Sequence, residues 1–335
     1  MEVIYLFSDL DFEKPEYFTL DKFKFSTGDV LENVDVEYIT VGTPIYNDDG
    51  EIINGVLYCH GSSGDYGSLR RINDISGSGE VFDTDKLFLI SLSSLGSPRS
   101  LSPSMTNLKG DFPHYSIIDM VNFQRQFLKE KFNITHLKGM IGNSMGGFTV
   151  LTWAAYYPLE MDFVISLVSS YKVAGHNYAL SRIMDDIVKS CPDYNDGDYI
   201  ASEELNRTFK LANEVMFNYG FSREFYRNKS NYEIDLSIEE MLSEDTLDDI
   251  NDMVYRNDAS LNYNIEDKLK DIVAKVLIVA INQDQYFPPN LDAIPMSHMI
   301  KNSELLIYDS INGHIGSREL KKVESNLKEF LNEFI

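Results

Sequence analysis

Cysteine is scarce in this chain of 335 residues: Cys59 and Cys191 are the only two, and neither sits in a C-x-x-C pair. That excludes a disulfide framework. Paired Cys/His metal spacing and an H-E-x-x-H helix are lacking too, so no metal site is expected. Long apolar runs are missing, with no stretch approaching the roughly 18 residues that a membrane span needs. Positive charge is in short supply: 29 Lys and Arg stand against 53 Asp and Glu, for a formal net charge of -24. Nucleic acid and anionic membrane surfaces both demand basic patches, so this field argues against them. A polyanionic ligand is admitted only where local cations override it. The first residues, Met1 to Tyr17, carry Asp9, Asp11, Glu13 and Glu16 in place of the basic start of a secretory signal. A cytoplasmic location is the expectation.

What is present is an alternation of apolar runs and helical patterns, the signature of a mostly parallel sheet flanked by helices. Strands are expected at Tyr17 to Phe25, Val34 to Val41, Val56 to Cys59, Lys86 to Leu92, Phe163 to Val168, Lys275 to Ile281 and Leu305 to Tyr308. Ser116 to Phe132 reads as an amphipathic helix, with Ser116 and Asp119 spaced as a capping box. A closing helix is expected over Ser317 to Ile335, with Leu320, Val323, Leu327, Phe330 and Leu331 on one face. Between Val173 and Ile265 the chain turns helical and polar, with no buried strand. An insertion there, after the sixth strand, is expected to form a helical cap; a solvated helical appendage is the alternative. The division is then 1–172 and 266–335 for the core and 173–265 for the cap. The acidic run from Glu233 to Asp252 contains no Lys or Arg and reads as solvated surface.

One hexapeptide carries the chemistry. Gly142-Asn143-Ser144-Met145-Gly146-Gly147 follows the apolar run His136 to Ile141 and opens a helical pattern, Phe148 to Tyr157, that stops at Pro158. That is the strand, turn and helix of a G-x-S-x-G nucleophile elbow, the mark of an α/β-hydrolase fold. Glycines are needed because a Ser held in so sharp a turn leaves no room for neighbouring side chains. A serine hydroxyl is a poor nucleophile without a base, and the base needs an orienting carboxylate; in this fold they follow in the order Ser, Asp, His. Of six histidines, His314 alone lies in a flexible loop past the last strand and before the final helix, in Asn312-Gly313-His314-Ile315-Gly316. A satisfied loop histidine is the plain alternative. Asp284 follows the seventh strand and is the only carboxylate of its loop, so it takes precedence over Asp309, its rival beside His314.

An oxyanion hole requires two N–H donors. Met145, at the helix N-terminus beside Ser144, is one candidate. Ser62 is the other, from His60-Gly61-Ser62-Ser63-Gly64 after the third strand; His60 then reads as a structural hydrogen-bonding residue. Asp193 to Asp198 mimics a calcium loop but has Asp198 where the tight turn demands Gly, so it reads as a turn.

Phe112-Pro113-His114-Tyr115-Ser116-Ile117-Ile118-Asp119, the elbow itself, Trp153, Tyr157-Pro158, Asp258-Ala259-Ser260 and Asp284-Gln285-Tyr286-Phe287-Pro288 resemble homoserine O-acetyltransferases and their α/β-hydrolase relatives. The resemblance spans nearly the whole chain. It implies Ser144, Asp284 and His314 as a triad and Ser62 at the oxyanion position. The departures concern substrate: the family's H-A-L-T-G is here His60-Gly-Ser-Ser-Gly64, and its Arg early in the cap falls by loose alignment at Asp185-Asp186, with Arg182 a turn away. Arg182 and Arg99 are the expected substrate-binding residues. The expected activity is acyl transfer from a small ester or thioester to a hydroxyl acceptor, with hydrolysis as the alternative and a non-catalytic binding protein as the third reading. No bound cofactor is expected; acetyl-CoA is a candidate donor, for which Arg70, Arg71, Arg99 and Lys172 are the cations at hand. The oligomeric state is open, a homodimer included.

Overall fold

A computed structural model describes residues 12, 14–98, 100–242 and 249–335. Eight strands build one sheet: β1 (Glu16–Lys24), β2 (Val30–Val41), β3 (Gly55–Cys59), β4 (Phe88–Leu92), β5 (Leu137–Asn143), β6 (Met161–Leu167), β7 (Lys275–Ile281) and β8 (Ser303–Tyr308). Their order across the sheet is β1-β2-β4-β3-β5-β6-β7-β8. The pairs β1/β2 and β2/β4 are antiparallel and the remaining pairs are parallel.

The two-residue period of a strand explains why these short runs are apolar throughout. Leu57 and Cys59 of β3 face a core shared with α1 (Ile117–Phe132), α2 (Met145–Tyr156) and α7 (Ala293–Met299). Val56 and Tyr58 face the opposite core, closed by a 3-10 stretch, Tyr66–Ile75, and by α8 (Glu324–Leu331). The capping box at Ser116 and Asp119 forms as its spacing predicts.

The expected closing helix differs. From Ser317 the chain runs through 3-10 turns, Gly313–Arg318 and Leu320–Val323, before α8 begins. Tertiary bonds explain the delay: the Tyr308 hydroxyl donates to the Gly316 carbonyl (2.8 Å) and Asn312 Nδ2 to the Glu319 carboxylate (2.6 Å). The apolar face from Leu320 to Leu331 is buried all the same.

Between β6 and β7 lie α3 (Gly175–Lys189), α4 (Glu203–Gly220), α5 (Asn231–Met241) and α6 (Ile250–Leu261). They carry a core of their own, with Leu180, Met184 and Val188 of α3 against Leu205, Phe209 and Ala212 of α4. One correction concerns the acidic run. Asp252 is buried, not solvated: its carboxylate accepts from the Ser104 N–H (3.0 Å) and Ser104 hydroxyl (2.6 Å), tying α6 to the loop after β4. Desolvation pushes its pKa up to about 6. Residues 243–248 of that run, and Arg99, lie outside the described residues.

Candidate active site

The turn from β5 to α2 holds Ser144 at φ 55°, ψ -119°, a conformation that costs a non-glycine residue about 1–3 kcal/mol. It is fixed from several sides. The Ser144 N–H donates to the Leu167 carbonyl (2.9 Å), and the Ser144 carbonyl accepts from Gly147 N–H and the Ser169 hydroxyl, each at 2.8 Å. The glycines are there for room. A Cβ on Gly142 would stand 2.3 Å from the Gly146 carbonyl oxygen, and one on Gly146 would stand 2.1 Å from that of Cys59.

His314 and Asp284 reach this serine from separate loops. His314 Nε2 lies 3.0 Å from Ser144 Oγ, and His314 Nδ1 lies 2.8 Å from Asp284 Oδ2. A carboxylate can only accept here, so the imidazole proton sits on Nδ1 and Nε2 faces the Ser144 hydroxyl as an acceptor. Asp284 is itself held: its Oδ1 accepts from the N–H groups of Tyr286 (2.8 Å) and Phe287 (3.1 Å). The rings of those two residues flank the imidazole, at 4.8 and 5.7 Å between centroids. Asp309 is elsewhere. It is exposed and accepts from Asn282 and Gln283, which lower its pKa.

Gly313 has φ 57°, and a Cβ there would meet the Ser222 nitrogen at 2.7 Å, so the loop bearing His314 is pressed against the inserted helices. The loop bearing Asp284 is tied to them as well, since Gln285 Nε2 donates to the Phe221 carbonyl (2.5 Å) and the Tyr286 hydroxyl to that of Met216.

The loop after β3 is organised by a buried His60. Ser94 N–H donates to His60 Nε2 (3.1 Å), which puts the ring proton on Nδ1, 2.8 Å from the Gly61 carbonyl. That carbonyl also accepts from Gly64 N–H (3.0 Å). In a trans peptide the next N–H points the opposite way, so two bonds to the Gly61 oxygen set the direction of Ser62 N–H. Residue 61 adjoins Ser144: a Cβ placed on it would lie 3.4 Å from Ser144 Cβ. Met145 heads α2, where first-turn N–H groups have no intrahelical acceptor.

Ser62, Ser144, Met145 and His314 share one cavity of about 250 Å³. Its outer wall comes from the inserted helices, including Leu180, Met184, Phe209, Phe217 and Met253. Arg71 and Arg256 are the two cationic side chains lining it among the described residues. Arg182, expected to bind substrate, is not there: it lies on the exposed face of α3, paired with Asp186 at 3.2 Å. Its position could be read from α3 itself, where Leu180, Met184 and Val188 mark the inner face. Lys172 is paired with Glu266 (2.7 Å), away from the cavity wall. Arg256 was not foreseen. It is buried, and its Nη1 donates to the Gly96 carbonyl (2.7 Å), a partner 160 residues away in sequence. No local pattern signals such a contact.

The strand order, the strained serine and the relay behind it define the class: an α/β-hydrolase-type fold with a nucleophile elbow. The chain belongs to the alpha/beta hydrolase fold family, whose model matches residues 55–315. It is 44% identical over 315 residues to a probable acyltransferase of Methanothermobacter thermautotrophicus, covering 94% of this chain and 97% of that protein. It is 28% identical over 315 residues to a homoserine O-acetyltransferase of Methanococcoides burtonii, covering 82% of this chain and 63% of the other. Among solved structures, an acetylester hydrolase from Corynebacterium glutamicum superposes with a TM-score of 0.84 at 22% identity, covering 96% of this chain and 97% of its own, a likeness of fold. No helix among the described residues is long and apolar enough to cross a membrane.

Proposed function

We propose that the protein is a serine-dependent acyltransferase, with residues 173–265 as a cap over its site. Ser144 Oγ attacks the carbonyl carbon of a small ester or thioester while His314 Nε2 takes its proton. Asp284 holds the ring and stabilises the imidazolium. The tetrahedral oxyanion is received by the Met145 and Ser62 N–H groups. His314 then returns the proton to the departing alcohol or thiol, leaving acyl-Ser144. An acceptor hydroxyl, deprotonated by His314, attacks that ester and regenerates the serine.

The observation that carries this reading is the pair of hydrogen bonds joining Asp284, His314 and Ser144 beneath a strained elbow. The 44% identical relative bearing the name probable acyltransferase supports an acceptor other than water. Arg256, on the same cavity wall, supports a hydroxyl acceptor that carries a carboxylate. Hydrolysis, with water as acceptor, is the second reading; the apolar wall of Phe148, Phe209, Phe217 and Phe287 favours it, because a simple ester needs no charged partner.

Acetyl-CoA or p-nitrophenyl acetate, offered with a panel of amino-acid and hydroxy-acid alcohols, separates the two. The transferase reading expects acylated acceptor to form faster than free acetate with at least one alcohol. Transfer that never exceeds hydrolysis across the panel removes it.

A further inference from the structure

The cavity that holds Ser144 is the reverse of the chain's composition. The sequence has 53 Asp and Glu, yet among the described residues none of them lines this cavity. Its permanent charges are Arg71 and Arg256. The carboxylates that support the wall from behind are already bonded: Asp185 to Asn257 and Lys189, Asp252 to Ser104, and Asp284 to His314.

What the wall offers instead is three asparagines, one from each of three inserted helices: Asn177 on α3, Asn213 on α4 and Asn257 on α6. Each amide is oriented by a backbone carbonyl, which can only accept. Asn257 Nδ2 donates to the Ser181 carbonyl (2.7 Å) and to the Asp185 carboxylate (2.6 Å), which spends both of its hydrogens. Asn213 Nδ2 donates to the Phe209 carbonyl (2.9 Å) and to Met253 Sδ (3.9 Å). Asn177 Nδ2 donates to the Tyr286 carbonyl (3.2 Å). The three form one connected group, since Ser181 lies a turn beyond Asn177 on α3 and Met253 a turn before Asn257 on α6. Each Oδ1 is left without a hydrogen-bond partner among the described residues, and none of these oxygens is sealed inside the protein.

Carboxamide oxygens with all but one of their N–H groups turned to protein call for donors on the ligand. An ammonium and a hydroxyl both donate, and charge decides between them. An ammonium would lose its water beside two guanidiniums, with no carboxylate on the wall to pair with it. A neutral hydroxyl meets the same oxygens without that penalty. We propose that the acyl acceptor is a polyhydroxy acid and not an amino acid: an alcohol with a carboxylate for Arg256 and a further hydroxyl for the asparagine oxygens. This rests on the acyl-Ser144 reading. The reacting hydroxyl oxygen bonds to the acyl carbon as its proton passes to His314 Nε2; the bond to Ser144 Oγ then breaks, and the serine takes that proton back.

Three acceptors with one carbon skeleton test this on the full chain, each offered with acetyl-CoA or p-nitrophenyl acetate. They are 2,4-dihydroxybutyrate, homoserine, which has an ammonium in place of the 2-hydroxyl, and 4-hydroxybutyrate, which has neither. Transfer to 2,4-dihydroxybutyrate is expected with kcat/KM at least about tenfold above each of the others. No transfer to it, or transfer matched by either of the others, overturns the assignment. Ratios between acceptors within one variant do not depend on how much of it folds. Asn213→Leu or Asn257→Leu should bring 2,4-dihydroxybutyrate down toward 4-hydroxybutyrate, and ratios unmoved in both variants overturn the asparagine subsite. Asn213→Asp sets a carboxylate in the cavity and should raise homoserine relative to 2,4-dihydroxybutyrate about tenfold. An unmoved ratio there overturns the charge argument. Failure of the serine reading looks different: Ser144→Ala would still bind 2,4-dihydroxybutyrate more tightly than homoserine in calorimetry, while the parent protein formed no acyl-Ser144.

Discussion

His60 Nδ1 lies 2.8 Å from the Gly61 carbonyl oxygen, so the ring of one residue fixes the peptide plane of the next and aims the Ser62 N–H. On the proposed mechanism, that makes His60 a positioning residue for the oxyanion donor Ser62. His60→Ala is expected to lower kcat about 10- to 100-fold, the range for loosening one oxyanion donor. Fluorophosphonate labelling of Ser144 should persist. Steady-state kinetics on p-nitrophenyl acetate, with labelling as the fold control, checks this.

Asp309 stands far nearer to His314 in sequence than Asp284 does, yet only Asp284 touches it. Asp284→Asn should cost about 10⁴ in kcat by favouring the wrong imidazole tautomer. Asp309→Asn, at an exposed carboxylate bonded to Asn282 and Gln283, should stay within about twofold, as surface changes do. Equal losses in the two variants would contradict the relay.

Gly146→Ala is expected to destabilise the fold as well as the site. The new methyl would collide with backbone at Cys59, 2.1 Å away, where no flexible side chain can yield. A loss of about 1–3 kcal/mol or more is expected from denaturant titration. Gly79→Ala is the comparison: φ is 73° with nothing within 4 Å, so only the backbone cost of about 1 kcal/mol applies.

Asp252 is buried and Asp292 half-buried, and desolvation raises the pKa of each carboxyl to about 6. A folded pKa above the unfolded value, about 4, means that the native state holds the proton more tightly. That contribution is full below pH 4 and is lost as pH rises through 6, on the order of 2 kcal/mol for each group. Asp252→Asn should therefore gain stability relative to the parent protein between pH 4 and pH 7. Paired urea titrations at the two pH values read the difference, and a constant gap contradicts it.

Arg256 is the cation best placed to meet a carboxylate-bearing acceptor. Arg256→Gln should raise KM for such an acceptor about tenfold or more, with a smaller effect on the donor. An acceptor KM that does not move would assign the residue a structural role, its bond with Gly96 included.

Much of this was legible in the chain because the signals are local. The elbow is six consecutive residues whose glycines answer to backbone contacts, and β7 begins and ends where its apolar run does. Asp284 and His314 were found by order along the chain and by elimination among six histidines. What escaped depends on long-range packing. Arg256 enters the cavity because α6 is pinned to the loop after β4 through Asp252 and Ser104. Asp252 itself read as solvated because it lies in an acidic run, and only that packing buries it. The closing helix was overextended because its first turn is spent on bonds to Tyr308 and Asn312, which helical periodicity does not register.

The central claim is that the acyl group passes through Ser144. The direct measurement is rapid-quench intact-mass and peptide mapping after mixing the protein with p-nitrophenyl acetate. One acetyl group on the Ser144 peptide, appearing before steady turnover and absent from Ser144→Ala, is the predicted result. Turnover without an adduct on Ser144, or full activity in Ser144→Ala, would contradict it.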